Sequence, residues 1–151
     1  ARGLSMLQAV YGFGSVIGAL FVAATGYAKR KGRLALLLQL AFAILLIAFG
    51  LSRNLALTMV FGFFAGACVV GVVSLYSSLV QLATDNAMRG RVMSIFMLAF
   101  RGGMPLGSLL AGFMIERWSL ALALTMNGTM LAIIATIYFA RGVNLDEDVV
   151  A

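Results

Sequence analysis

The chain has 151 residues and a formal net charge of +6. It is 63% hydrophobic and only 11% charged, with a mean hydropathy of +1.07, whereas soluble domains are about half apolar and about a quarter charged. A core of this size cannot hide that excess, so the composition excludes an ordinary soluble domain and makes lipid the expected solvent.

The positive charge does not indicate nucleic acid, because the cations lie between long apolar runs rather than on one wettable face. The chain has no histidine and one cysteine, Cys68, inside an apolar run. That removes the commonest metal ligand and general base, and it excludes a disulfide framework. No metal site, cofactor or catalytic group is expected, so an intramembrane enzyme is disfavoured. The chain opens Ala1-Arg2-Gly3 without an initiator methionine, and its first apolar run exceeds the core of a signal peptide. A processed chain or part of a longer protein is expected.

A helix needs about 20 apolar residues to cross roughly 30 Å of hydrocarbon. Five such runs follow one another, at about 4–28, 34–52, 55–82, 91–115 and 119–140. They predict an all-α, polytopic transmembrane helix bundle, with short connections that favour antiparallel neighbours. Continuous rather than alternating runs argue against a barrel.

The first run carries Gly14 and Gly18, with Gln8 and Tyr11 three residues apart. Its exit, Lys29-Arg30-Lys31-Gly32-Arg33, is strongly basic. The second run is poor in small and polar residues. The third carries Gly62 and Gly66, then a polar stripe of Ser74, Ser77, Ser78 and Gln81 on one helical face. That stripe reads either as a cavity wall or as hydrogen-bonded helix packing. The segment entering the fourth run holds Asp85, Arg89 and Arg91. Asp85 and Arg89 are spaced to pair, and with Lys29, Arg30 and Arg33 they form either a gate latch or solvated orientation charges.

The fourth run is the most unusual. Arg101 lies near the bilayer middle, where an arginine costs about 2.5–3.5 kcal/mol on insertion scales. Gly102, Gly103 and Pro105 beside it loosen the helix and free carbonyls. Arg101 is therefore either an anion or substrate contact or a structural arginine bonded to neighbouring helices. Gly103 and Gly107 add a close-packing pair. The fifth run has few such features. Glycine and polar content together predict that the first, third and fourth helices are internal and that the second and fifth face lipid.

Seven cations (Lys29, Arg30, Lys31, Arg33, Arg89, Arg91, Arg141) fall on one side and three (Arg2, Arg53, Arg117) on the other. The positive-inside rule then sets the N-terminus outside and the C-terminus in the cytoplasm. No carboxylate falls in mid-membrane, so if the protein is proton-coupled the relaying group is expected outside this chain.

The stretch Arg89-Gly90-Arg91-Val92-Met93-Ser94, with Leu98-Ala99-Phe100-Arg101-Gly102-Gly103-Met104-Pro105-Leu106-Gly107 and Leu110-Ala111-Gly112, resembles the eleventh-helix region of major facilitator superfamily carriers. Gln81 and the Asp85 to Arg91 stretch resemble the preceding loop of the enterobactin-exporter and macrolide-efflux branch. Leu7 to Gly14, with Gly18, resembles that branch's eighth helix. Gly26 to Arg33 resembles a degenerate copy of the superfamily's basic loop, lacking its aspartate.

The resemblance implies helices eight to twelve of a twelve-helix carrier, the C-terminal transmembrane half-domain without its first helix. It further implies a secondary active exporter of siderophore- or drug-like small molecules in the bacterial inner membrane, coupled to protons and working by alternating access. On that reading Arg101, Ser74, Ser78, Gln81, Gln8 and Tyr11 line the pathway. Asp85, Arg89, Arg91, Lys29, Arg30 and Arg33 serve a cytoplasmic gate. The expected partners are the bilayer, a small-molecule substrate, protons and the missing N-terminal helices, with no nucleic acid. The five helices alone are expected not to transport. The alternative is a non-transport membrane scaffold or assembly subunit.

Overall fold

The computed structural model describes residues 2–24 and 31–140. These form five helices: α1 (Arg2–Ala24), α2 (Lys31–Leu51), α3 (Leu55–Leu82), α4 (Arg89–Arg117) and α5 (Leu120–Ala140). All five are long and apolar enough to cross a membrane, and no strand occurs among the described residues. Residues 25–28 of the expected first span lie outside the described residues. The second helix starts earlier than its apolar run, because Lys31 and Gly32 join its first turn.

Local capping sets the breaks. Asn54 stands in extended conformation before α3, and its side chain accepts from the Ala56 amide at 3.0 Å. This satisfies one of the orphan donors of the first turn. Thr58 Oγ1 donates to the Asn54 carbonyl at 2.9 Å, which ties the same turn to the loop. At the start of α5 the Leu122 amide donates to Ser119 Oγ at 3.2 Å. These two polar residues make sharp turns between long apolar helices.

The packing order is α1, α3, α2, α5, each helix set against the next. Helices α1 and α3 run parallel, since Leu7 meets Gly62 and Val22 meets Gly71. Their backbones come together at glycines. A methyl built at Gly14 would fall against the Phe63 carbonyl, one at Gly18 against Ala67, and one at Gly66 against the Tyr11 carbonyl. Ser15 Oγ adds a hydrogen bond across this seam to the Gly66 carbonyl at 3.3 Å. Lipid is as apolar as leucine, so close backbone approach and hydrogen bonds, rather than burial from water, hold such helices together.

The assignment of α2 to the lipid face does not hold, whereas α5, at the outer end of the packing order, leaves most of its large apolar residues exposed. Helix α2 is sandwiched between α3 and α5. Ala35 and Ala43 on α2 are fully buried, and Ala123 and Ala135 on α5 nearly so. Gly50 faces Ala121 and Leu124, and Gly128 sits against Ala43 and Ile47. Across this seam Ala43 and Gly50 stand seven apart, as do Ala121, Gly128 and Ala135. A seven-residue period gives a shallow crossing with small side chains along one seam.

Helix α4 is also not where glycine content put it. It has no buried residue and makes only sparse contact, with α3 and α5. Gly103 and Gly107, expected as packing glycines, have nothing within 4 Å of a methyl built on them, and neither do Gly102 and Gly112. The glycines mark a surface able to accept a close neighbour, but no described residue supplies one. Gly103 and Gly107 stand as far ahead of α5 in sequence as Gly14 and Gly18 stand ahead of α2. The two helices thus carry the same glycine register, one occupied and one open.

Candidate functional site

Two hollows open along a single stripe of α2. Leu36, Gln39, Phe42, Leu46 and Phe49 follow one another at spacings of three and four, which places them on one helical face. The larger hollow, about 410 Å³, is lined by Leu7, Gln8 and Tyr11 of α1, Phe42, Leu46 and Phe49 of α2, Gly62 and Ala65 of α3, and Leu124 of α5. Its walls are apolar apart from the Gln8 amide and the Tyr11 hydroxyl. The smaller, about 330 Å³, is lined by Leu36, Gln39, Tyr76, Ile134 and Tyr138. A pocket of a few hundred Å³ with apolar walls and a few polar groups is the common form of a small-molecule site.

Apart from Arg101 on α4, the expected pathway residues separate into two places. Gln8 and Tyr11 line the larger hollow, level with Gly62 and Gly66. Ser74, Ser78 and Gln81 lie further along the parallel α3, about 12 Å or more beyond Gly66 at 1.5 Å per residue, and line neither hollow. Ser78 instead accepts a hydrogen bond from Lys31 Nζ at 3.3 Å. Gln81 turns back to donate to the Ser77 carbonyl at 3.1 Å. Ser74 is half-buried. Ser78 and Gln81 are thus engaged at the end of the bundle where α2 begins.

Around that end the gate residues are mostly apart. Lys29 and Arg30 lie outside the described residues. Arg33 places its guanidinium over the Phe139 ring, 5.6 Å from the centroid, a cation–π contact between α2 and α5. Arg89 and Arg91 are exposed, and so is Asp85. The expected Asp85–Arg89 pair is absent. Their spacing of four would bring the side chains together only within one helix, and α4 begins at Arg89. Asp85 lies before it in a turn whose carbonyl accepts from the Met88 amide at 3.0 Å.

Arg101 lies inside α4, twelve residues from Arg89 and sixteen from Arg117. It is exposed and has no hydrogen-bond or ion-pair partner among the described residues. Pro105 lies four residues on, so the Arg101 carbonyl lacks its helical amide donor. Ser94 and Ser108 stand seven residues to either side of Arg101, on the same helical face. Each serine hydroxyl turns to its own backbone, Ser94 to the Gly90 carbonyl at 2.8 Å and Ser108 to the Pro105 carbonyl at 2.9 Å. The result is a polar stripe down the length of α4 with one unneutralised cation at its middle. The sevenfold spacing of these three residues was the sequence signal for it.

A second polar feature was legible only as an oddity. Gln39 is the one polar residue between Arg33 and Ser52. Its amide oxygen accepts from the Tyr76 hydroxyl at 2.6 Å, joining α2 to α3 beside the smaller hollow. A lone amide in hydrocarbon is costly unless paired, and Tyr76 is its partner.

No group of three histidine, cysteine, aspartate or glutamate side chains comes together among the described residues. Comparison with curated proteins and with solved structures gives no match. A family model does match, that of the transmembrane secretion effectors, and it covers residues 3–149, nearly the whole chain. Five membrane-crossing helices, a polar stripe on one of them and this match agree: the chain belongs to the transmembrane secretion effector family, a membrane-transporter family of the major facilitator type.

Proposed function

We propose that the chain forms part of a proton-coupled secondary exporter of small siderophore- or drug-like molecules, working by alternating access in a bacterial inner membrane. Its five helices correspond to the last five of a twelve-helix carrier, with the α2 start and the C-terminus on the cytoplasmic side. The observation that carries this reading is Arg101. A cation at mid-span, exposed and without a partner among the described residues, is stable only against a watery pathway or a further part of the protein. The Ser94–Arg101–Ser108 stripe then faces the pathway. The hollow at Gln8 and Tyr11 offers apolar walls and hydrogen-bonding groups to a lipophilic molecule. Arg89, Arg91, Asp85 and the 29–33 basic segment work at the cytoplasmic mouth.

The test is transport by everted membrane vesicles containing the intact carrier. An imposed proton gradient should drive accumulation of a fluorescent drug, and a protonophore should collapse it. Accumulation that ignores the protonophore would remove proton coupling. No accumulation across a panel of siderophores and lipophilic drugs would remove the exporter reading.

A further inference from the structure

We infer that the Ser94–Arg101–Ser108 face of α4 receives a carboxylate from another transmembrane helix of the assembled carrier. Arg101 is then one half of an intramembrane ion pair. The inference deepens the carrier reading and rests on it.

Depth is the first argument. At 1.5 Å per residue, Arg101 is about 18 Å from the Arg89 end of α4 and about 24 Å from the Arg117 end. Long cationic side chains reach the interface from near helix ends, not from mid-span. Lipid phosphates are therefore out of reach.

The second argument is the absence of any internal acid. Among the described residues the acids are Asp85 and Glu116. Asp85 precedes α4, and Glu116 lies at its far end. The remaining acids, Asp146, Glu147 and Asp148, follow the last helix in sequence. Neither Asp85 nor Glu116 is at the depth of Arg101.

The third argument concerns what must neutralise the charge, and when. The serines of the stripe already bond their own backbone and supply no charge. An anionic substrate offers the same carboxylate chemistry, but only while it is bound. The cost of an unpaired guanidinium is borne in the empty carrier and throughout folding. A carboxylate fixed on a neighbouring helix meets that requirement in every state. The planar guanidinium fork also suits two parallel hydrogen bonds to one carboxylate.

The experiment is charge reversal in the intact carrier. Each aspartate and glutamate within its other transmembrane helices is changed to arginine, alone and together with Arg101→Glu. One acid should match. Alone, it and Arg101→Glu should each lower efflux at least about tenfold, and together they should return it to within about threefold of wild type. Where the reversals do not accumulate in the membrane, Arg101→Cys is combined with cysteine at each acid position, and a disulfide at one position is expected. No rescue and no cross-link at any acid would overturn the inference. Arg101→Gln that loses only anionic substrates would also overturn it, by assigning the charge to the substrate. The cross-link reports on the pair even if the wild-type carrier moves nothing, so failure of the ion pair and failure of the exporter reading remain distinct.

Discussion

Replacing Gly18 by alanine adds one methyl group at one of the tight backbone contacts between α1 and α3. That methyl would lie against the Ala67 carbonyl oxygen and 2.7 Å from both the carbonyl carbon and Cα of Ala67. Those atoms are backbone, so no rotamer change relieves the clash. Carbon pairs prefer about 3.5–4.0 Å, so α1 and α3 must part by roughly 1 Å, and a gap of that order forfeits up to about half of each facing dispersion contact. Overpacking of this kind costs about 1–3 kcal/mol. Alanine's better helix propensity returns up to about 1 kcal/mol. The expected net loss is about 1–2 kcal/mol, and the same reasoning applies to Gly14→Ala at Phe63.

Gly103→Ala and Gly107→Ala are the matched controls. They make the same chemical change in a helix where nothing lies within 4 Å. In this chain they should leave stability unchanged or raise it. The assay is unfolding of the purified chain in mixed micelles with added denaturant, followed by fluorescence of a label placed on α1 or α3. Equal midpoints for Gly18→Ala and Gly103→Ala would refute the reasoning, because the two substitutions would then not sense the different surroundings.

Other substitutions follow the same logic. Tyr76→Phe removes the hydrogen bond to Gln39 and should cost about 1 kcal/mol, with Gln39→Leu recovering part of it in a double-mutant cycle, since interhelical hydrogen bonds in membranes are worth about 0.6–1.7 kcal/mol. A coupling energy of zero would show that the 2.6 Å contact contributes nothing. Gly128→Val should loosen α5 from α2, because the added atoms meet Ile47 and the Ala43 carbonyl; a disulfide between cysteines at Leu46 and Leu124, which line one hollow, should form more slowly in that variant. Asn54→Ala removes the cap of α3 and should cost about 0.5–2 kcal/mol, read as a lower denaturation midpoint. In the intact carrier Arg101→Ala should abolish efflux with membrane expression unchanged, and undiminished efflux would take Arg101 out of the pathway.

The amino-acid sequence by itself determined the solvent and the elements. Apolar runs of about 20 residues leave no solution in lipid except helices, because every backbone polar group must be satisfied internally. Asn54 and Ser119 mark two of the breaks through their capping chemistry. The glycine spacing of α1 and α3 marked their seam, because residues four apart share a face.

Which helix lies beside which was decided only by tertiary structure. The hydrophobic pattern that sorts buried from exposed in water carries no such information in lipid, where both sides are apolar. The second helix looked like a lipid helix, and it packs between α3 and α5, where Ala43 and Gly50, seven apart, let α5 approach. Helix α4 looked like an internal helix, and in this chain it is the least packed. Its Gly102, Gly103, Gly107 and Gly112 meet no described residue within 4 Å of an added methyl, and Arg101 has no partner among the described residues. Gln8 and Tyr11, three apart on α1, share a hollow level with Gly62, and the parallel run of α1 and α3 carries Ser74, Ser78 and Gln81 beyond it. Local spacing can place residues on one face of one helix; only the packing of several helices fixes what that face meets.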